Sequence, residues 1–104
     1  MPKTERRTPR YPFYASADII ESTTQTKMNA RTSELSRFGC YLDMLNPFPI
    51  GMSVNIVIRY QEQAFEAQGR VIYSQRNMGM GVAFDAAKLE SSEILDKWLE
   101  GLKT

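Results

Sequence analysis

The chain has 104 residues, 42% hydrophobic and 24% charged, enough for one hydrophobic core and too few for two, so a single globular domain is expected. With no histidine and one cysteine, Cys40, it lacks an imidazole for general-base work near neutral pH, any Ser-His or Cys-His pair, the clusters that hold zinc, and an internal disulfide. Neither an enzyme nor a cofactor is therefore expected, and the unpaired thiol fits a reducing, cytoplasmic compartment.

The net charge is only +1, yet Lys3, Arg6, Arg7 and Arg10 against Glu5 put residues 1–10 at +3 and leave the remainder at −2. A positive arm on a near-neutral body suits a local anionic ligand better than a long polyanion such as DNA. The opening MPKTERRTPR has no apolar stretch behind its charges, so it does not read as a signal peptide. No apolar run approaches the roughly 20 residues that span a bilayer, and membrane insertion is not expected.

Beyond Arg10 the hydrophobic period is two. Phe13, Ala15, Ala17 and Ile19 alternate with Tyr14, Ser16 and Asp18, the pattern of a half-buried strand. The polar run from Glu21 to Gln25 reads as a turn, and Met28, Ala30 and Thr32 as one face of a second strand. Ser36 to Gly39 is a further turn, followed by Cys40, Leu42 and Met44 alternating with Tyr41 and Asp43. Two prolines and Gly51 make 46–51 a loop. Val54, Ile56, Ile58 and Tyr60 line a strand, residues 61–63 suit a hairpin, and Phe65, Ala67, Gly69, Val71 and Tyr73 alternate in the next strand. Residues 76–79 turn the chain into a last strand from Met80 to Phe84.

The period then changes. Ile94 and Trp98, with Leu95, Leu99 and Leu102, recur at steps of three and four, a helical stripe with Ser91 or Ser92 as the expected N-cap and Gly101 near the stop. So short a helix needs a surface to pack on. Six short strands with turn signals between them suggest a small antiparallel barrel or sandwich. Trp98 and Cys40 fall on apolar faces and read as core, Tyr11 and Tyr14 as barrel packing, and Met78 and Met80 as parts of a hairpin.

Two segments carry candidate chemistry. Arg6 and Arg10 bracket Pro9, which disfavours helix at Thr8, so the arm reads as an extended or turning clamp. Arginine's planar fork suits phosphate and its face stacks on bases, although charge at a terminus is by itself explained by solvation. Glu34, Ser36 and Gly39 set a carboxylate, a hydroxyl and an open backbone within six positions, a combination able to meet a purine edge and equally able to form a plain polar turn.

In this order the two segments resemble the motifs of PilZ domains. Arg6 to Arg10, running into a strand, is similar to their RxxxR element. Glu34-Leu35-Ser36-Arg37-Phe38-Gly39 resembles their second element, D/N-x-S-x-x-G, with Ser36 and Gly39 matching and Glu34 standing where the family has Asp or Asn. Residues 69–73 and 80–84 are similar to the paired later strands of the family, and a terminal amphipathic helix completes the likeness. The resemblance implies a mainly β fold, a six-stranded antiparallel β-barrel with a C-terminal amphipathic α-helix. Residues 1–10 would form a flexible basic arm and 11–104 the barrel and helix.

It further implies that the ligand is cyclic di-GMP, with Arg6, Arg10 and the auxiliary Arg7 closing over it and Glu34, Ser36 and Gly39 beneath. A protein partner in motility, pilus or exopolysaccharide control would read the altered surface. Glutamate keeps the acceptor oxygens that suit guanine N–H groups, while its extra methylene carries them outward. An adaptor on the same scaffold, acting on proteins without nucleotide, is the alternative that Glu34 favours. A single-stranded nucleic-acid barrel would need basic and aromatic residues spread over one sheet face, whereas the cations here cluster at one end.

Overall fold

The structure is a computed structural model that describes residues 9–87 and 89–103. The elements in chain order are β1 (Tyr11–Pro12), β2 (Ser16–Glu21), β3 (Lys27–Leu35), β4 (Gly39–Asp43), β5 (Ser53–Tyr60), β6 (Gln63–Gln75), β7 (Gly79–Ala87) and α1 (Leu89–Leu102). All pairings are antiparallel, and the contact between β3 and β4 closes the ring β2-β5-β6-β7-β4-β3 into a six-stranded barrel, with the two-residue β1 flanking β3. Closure removes the exposed strand edges that an open sheet of this size would present.

Alternation along the strands decides what fills the barrel. Ile19, Leu35, Leu42, Ile56, Ile58 and Met80 have no exposure at all, and Cys40 is buried with them. Burial pushes the Cys40 thiol up to about 12, so this cysteine is an inert core residue. The helical stripe packs as expected. Leu95, Trp98 and Leu99 are buried, and Trp98 lies 5.3 Å from Phe13 and 5.8 Å from Tyr60 between ring centroids. The helix thereby covers an aromatic cluster that the barrel alone would leave wet, each such pair adding about 0.5–1.5 kcal/mol beyond area burial.

Two expectations need correction. The helix starts at Leu89, ahead of both candidate N-caps, so Ser91 and Ser92 sit within its first turns. Ser91 is buried and its hydroxyl accepts the backbone N–H of Glu66 on β6 at 3.0 Å, which ties the helix to the sheet. Tyr14 does not pack into the barrel: it is 61% exposed, with the Arg31 guanidinium 5.8 Å from its ring centre. Its neighbours Phe13 and Ala15 take the inward positions, and alternation sends Tyr14 out.

The turn after β2 is organised by one carboxylate. Glu21 is nearly fully buried and accepts hydrogen bonds from the Thr24 hydroxyl at 2.6 Å and from the N–H groups of Thr24 and Thr23 at 2.7 and 3.0 Å. These bonds, that from the Thr24 hydroxyl foremost, hold its carboxyl at about 2, below the ordinary 4.5. The stability it contributes is complete above the unfolded value and drains away as the pH falls toward the folded one. Glu21→Gln should therefore unfold at lower urea than the wild type near neutrality. The gap should close between about pH 5 and about pH 2, as read from urea midpoints across that window.

Candidate functional site

The site is set by an irregularity in β3. Thr32 faces Leu42 of β4 and Glu34 faces Tyr41, so the register shifts across Ser33, which is an extra residue in the strand. Strict alternation from buried Thr32 would turn Glu34 inward. The bulge reverses the phase, so that Leu35 is fully buried and Glu34 stands half-exposed on the outer face. Ser33 is fastened to β4 by its hydroxyl, which donates to Asp43 Oδ1 at 3.1 Å, and Arg31 lies 3.7 Å from the same carboxylate.

A buried hydroxyl completes the arrangement on the inside. Between β1 and β2 the ladder is interrupted, and the Thr32 side chain takes over: Oγ1 donates to the Phe13 carbonyl at 2.6 Å and accepts the Ala15 N–H at 2.9 Å. The backbone N–H of Thr32 returns a bond to the Ala15 carbonyl at 2.9 Å. This lock fixes the segment that leads back to Arg10 against the strand that carries Glu34. Sequence reasoning placed Thr32 on one face of a second strand and missed both its locking role and the bulge, because a threonine in an alternating strand carries no mark of either.

Ser36 and Gly39 shape the turn between β3 and β4. The Ser36 hydroxyl accepts the N–H groups of Phe38 and Gly39, each at 3.2 Å, and donates to the Gly39 carbonyl at 3.3 Å, while the Ser36 N–H donates to that carbonyl at 2.9 Å. Gly39 permits a close approach: a Cβ there would stand 2.4 Å from the Val82 carbonyl oxygen of β7. The next residue outward, Arg37, pairs with Asp96 of the helix at 3.1 Å, and the Phe84 N–H donates to the Phe38 carbonyl at 2.8 Å. The turn is thus clasped between helix and sheet.

Arg10 reaches this ground from the other side. Its Nη1 lies 3.8 Å from Glu34 Oε1, the two side chains 69% and 47% exposed. The structure therefore brings Arg10, Glu34, Ser36 and Gly39 to one end of β3, while Arg6 and Arg7 lie outside the described residues. Of the barrel arginines, Arg31, Arg37, Arg59 and Arg70 each have an aspartate within 4 Å, which neutralises the body of the protein around the arm. A shallow pocket of about 160 Å³ between Arg37, Phe84 and Asp96 is smaller than the roughly 300–1,000 Å³ of small-molecule clefts. A ligand at Arg10 and Glu34 would lie on the open outer face.

The PilZ domain family model matches residues 4–101. Among solved structures, the PilZ domain of CeSA from a cellulose-synthesising bacterium superposes with a TM-score of 0.73 at 16% identity, over 93% of this chain and all of that one. The PilZ domain of Escherichia coli YcgR, solved with c-di-GMP, gives 0.73 at 16% identity over 94% of this chain and 91% of that one. Borreliella burgdorferi PlzA in complex with c-di-GMP gives 0.64 at 13%, over 92% of this chain and 43% of that one. At such identities these likenesses establish the fold. No curated protein matches the sequence.

Two substitutions test the local architecture by chemical denaturation. Thr32→Val keeps the shape and removes a buried hydroxyl that two backbone groups use, so it should cost about 2–4 kcal/mol, while Thr32→Ser should cost less than about 1.5 kcal/mol. Gly39→Ala should cost about 2 kcal/mol or more, since its methyl meets backbone rather than a side chain that can swing away.

Proposed function

The chain belongs to the PilZ domain family, and from that premise we propose that it is a cyclic di-GMP-binding module, not an enzyme, whose arginine arm closes over the dinucleotide. The observation that carries the reading is Arg10 held beside Glu34, directly next to the turn built by Ser36 and Gly39. The likeness to PilZ structures that contain c-di-GMP supports the choice of ligand. In the free protein Glu34 occupies the guanidinium. An exposed pair of this kind is worth about 0–1 kcal/mol, whereas each charge-assisted bond to a phosphate is worth about 1.5–3 kcal/mol. A phosphate therefore displaces the carboxylate, and Glu34 is released to accept from guanine N–H groups.

Arg10 is not enough by itself. A micromolar complex requires about 8 kcal/mol net of association costs. The arm must bring Arg6, with Arg7 beside it, to the second phosphate, and base contacts must supply the remainder. Closing the arm over the outer face would change the surface shown to a protein partner, in the cytoplasm, in motility, pilus or exopolysaccharide control. The second reading is an adaptor that binds protein without nucleotide. It is favoured by the longer Glu34 side chain, which already satisfies Arg10.

Calorimetry with c-di-GMP separates the two. Wild type should bind at micromolar or tighter affinity, more weakly as salt rises, and Arg10→Ala should lose detectable binding while melting within about 2 °C of wild type, since only an exposed ion pair is removed. Saturating dinucleotide should raise the wild-type Tm by about 10 °C or more, and Glu34→Asp should bind at least as well as wild type. Folded wild type that shows neither heat nor a thermal shift would sink the nucleotide reading and leave the adaptor.

A further inference from the structure

On the outer face of the barrel, residues in register across four neighbouring strands form a single row. Glu34 of β3 faces Tyr41 of β4, Tyr41 faces Gly81 of β7, and Gly81 faces Tyr73 of β6. The row begins at the carboxylate that holds Arg10 and crosses three strand spacings, about 14 Å along the sheet. At its centre there is no side chain. Tyr41 and Tyr73 lean together over Gly81, with ring centroids 6.1 Å apart and 43° between the planes. A methyl on Gly81 would meet Tyr73 Cβ at 3.5 Å and Tyr41 Cδ1 at 3.9 Å. A second register shift, between Val71 and Tyr73, makes Ile72 the irregular residue of β6 and aims Tyr73 at this face.

Cross-strand packing accounts for the contact between the rings, worth about 0.2–1 kcal/mol. It does not account for their being left uncovered: Tyr73 remains 47% exposed, with its hydroxyl donating to Gln75 Oε1, which fixes the outer end of the ring. Tyr41 is the more buried of the two, and its phenol is held above its ordinary value, by burial first and then by Tyr73 and Asp43. The rings cannot sandwich a base, because two stacking contacts of about 3.5 Å need about 7 Å between ring planes. What they offer is one tilted aromatic surface, open to solvent and in register with the Arg10–Glu34 pair.

We propose that Tyr73, braced by Tyr41 across the Gly81 gap, is a stacking platform for one base of the ligand, so that the site extends from Arg10 and Glu34 over the outer face to β6. The inference rests on the cyclic di-GMP reading above and supplies part of the affinity that the arginines do not reach. The phosphates sit at the cationic end of the row and a purine lies on the aromatic end. Tyr73 contributes affinity rather than specificity, since an aromatic face accepts any planar base and leaves the choice of guanine to hydrogen-bonding groups such as Glu34.

The test is calorimetric titration of c-di-GMP into wild type, Tyr73→Ala and Tyr73→Phe, each checked for an unaltered thermal melt. Tyr73→Ala should raise Kd by about 5- to 150-fold, equivalent to the roughly 1–3 kcal/mol that a stacked base contributes, and Tyr73→Phe should stay within about threefold of wild type. A measurement on wild type guards against a poorly folded variant: intermolecular nuclear Overhauser effects should join guanine H8 to the Tyr73 ring protons. If wild type binds and Tyr73→Ala binds equally well, or if H8 shows contacts only to other residues, the platform is wrong while the nucleotide reading stands. If folded wild type binds no c-di-GMP, both fail together.

Discussion

The Thr32 hydroxyl, bonded to the Phe13 carbonyl and the Ala15 N–H inside the barrel, is the interaction on which the site depends. It substitutes for ladder bonds where the chain passes from β1 to β2, and so permits the bulge at Ser33 on the adjacent strand. Both consequences matter at the surface. The bulge turns Glu34 outward, and the lock holds the segment after Arg10 alongside it, so that two side chains 24 positions apart in sequence meet at 3.8 Å. A buried hydroxyl with both its bonds made is stable in a low-dielectric interior, and its geometry is correspondingly well defined.

Around this lock the arginines of the barrel are paired with carboxylates. Asp18, Asp43, Asp85 and Asp96 each stand within 4 Å of a barrel arginine, and Arg10 is paired in the same way with Glu34. The Arg10 guanidinium thus lies beside the turn that Ser36 and Gly39 shape. Those two residues have work to do before any ligand arrives. Ser36 closes the turn with its hydroxyl, and Gly39 lets β4 approach β7 to a distance that no other residue allows. A motif of this kind is a piece of architecture in its own right, and losing it damages the fold.

Much of the fold was legible in the residues. The alternation of Phe13 to Ile19 and of Val54 to Tyr60, the apolar stripe of Ile94 to Leu102, and the breaks at 46–51 and 76–79 all correspond to observed features. The hairpin at 61–63 was legible only in outline. Gln61 and Glu62 both adopt positive φ, 50° and 65°, in a two-residue turn of the sort that ordinarily recruits Asn and Gly. The pairing of Tyr60 with Gln63 imposes that conformation, so local preference was overruled by the ladder on either side. The N-cap expectation at Ser91 or Ser92 failed for a similar reason: the Ser91 hydroxyl serves a strand 25 positions away rather than the start of its own helix.

For the site, the sequence by itself determined the chemistry: Arg10, Glu34, Ser36 and Gly39 in the order of the family motifs, and a basic arm ahead of a near-neutral body. Only the tertiary structure decided on which side of β3 Glu34 emerges, and that Tyr41, Gly81 and Tyr73 continue its row across the barrel. The physical reason is parity. A strand's side chains alternate strictly, so one extra residue, Ser33 in β3 or Ile72 in β6, reverses every face beyond it. Neither residue type announces a bulge, and cross-strand neighbours exist only once register and closure are set.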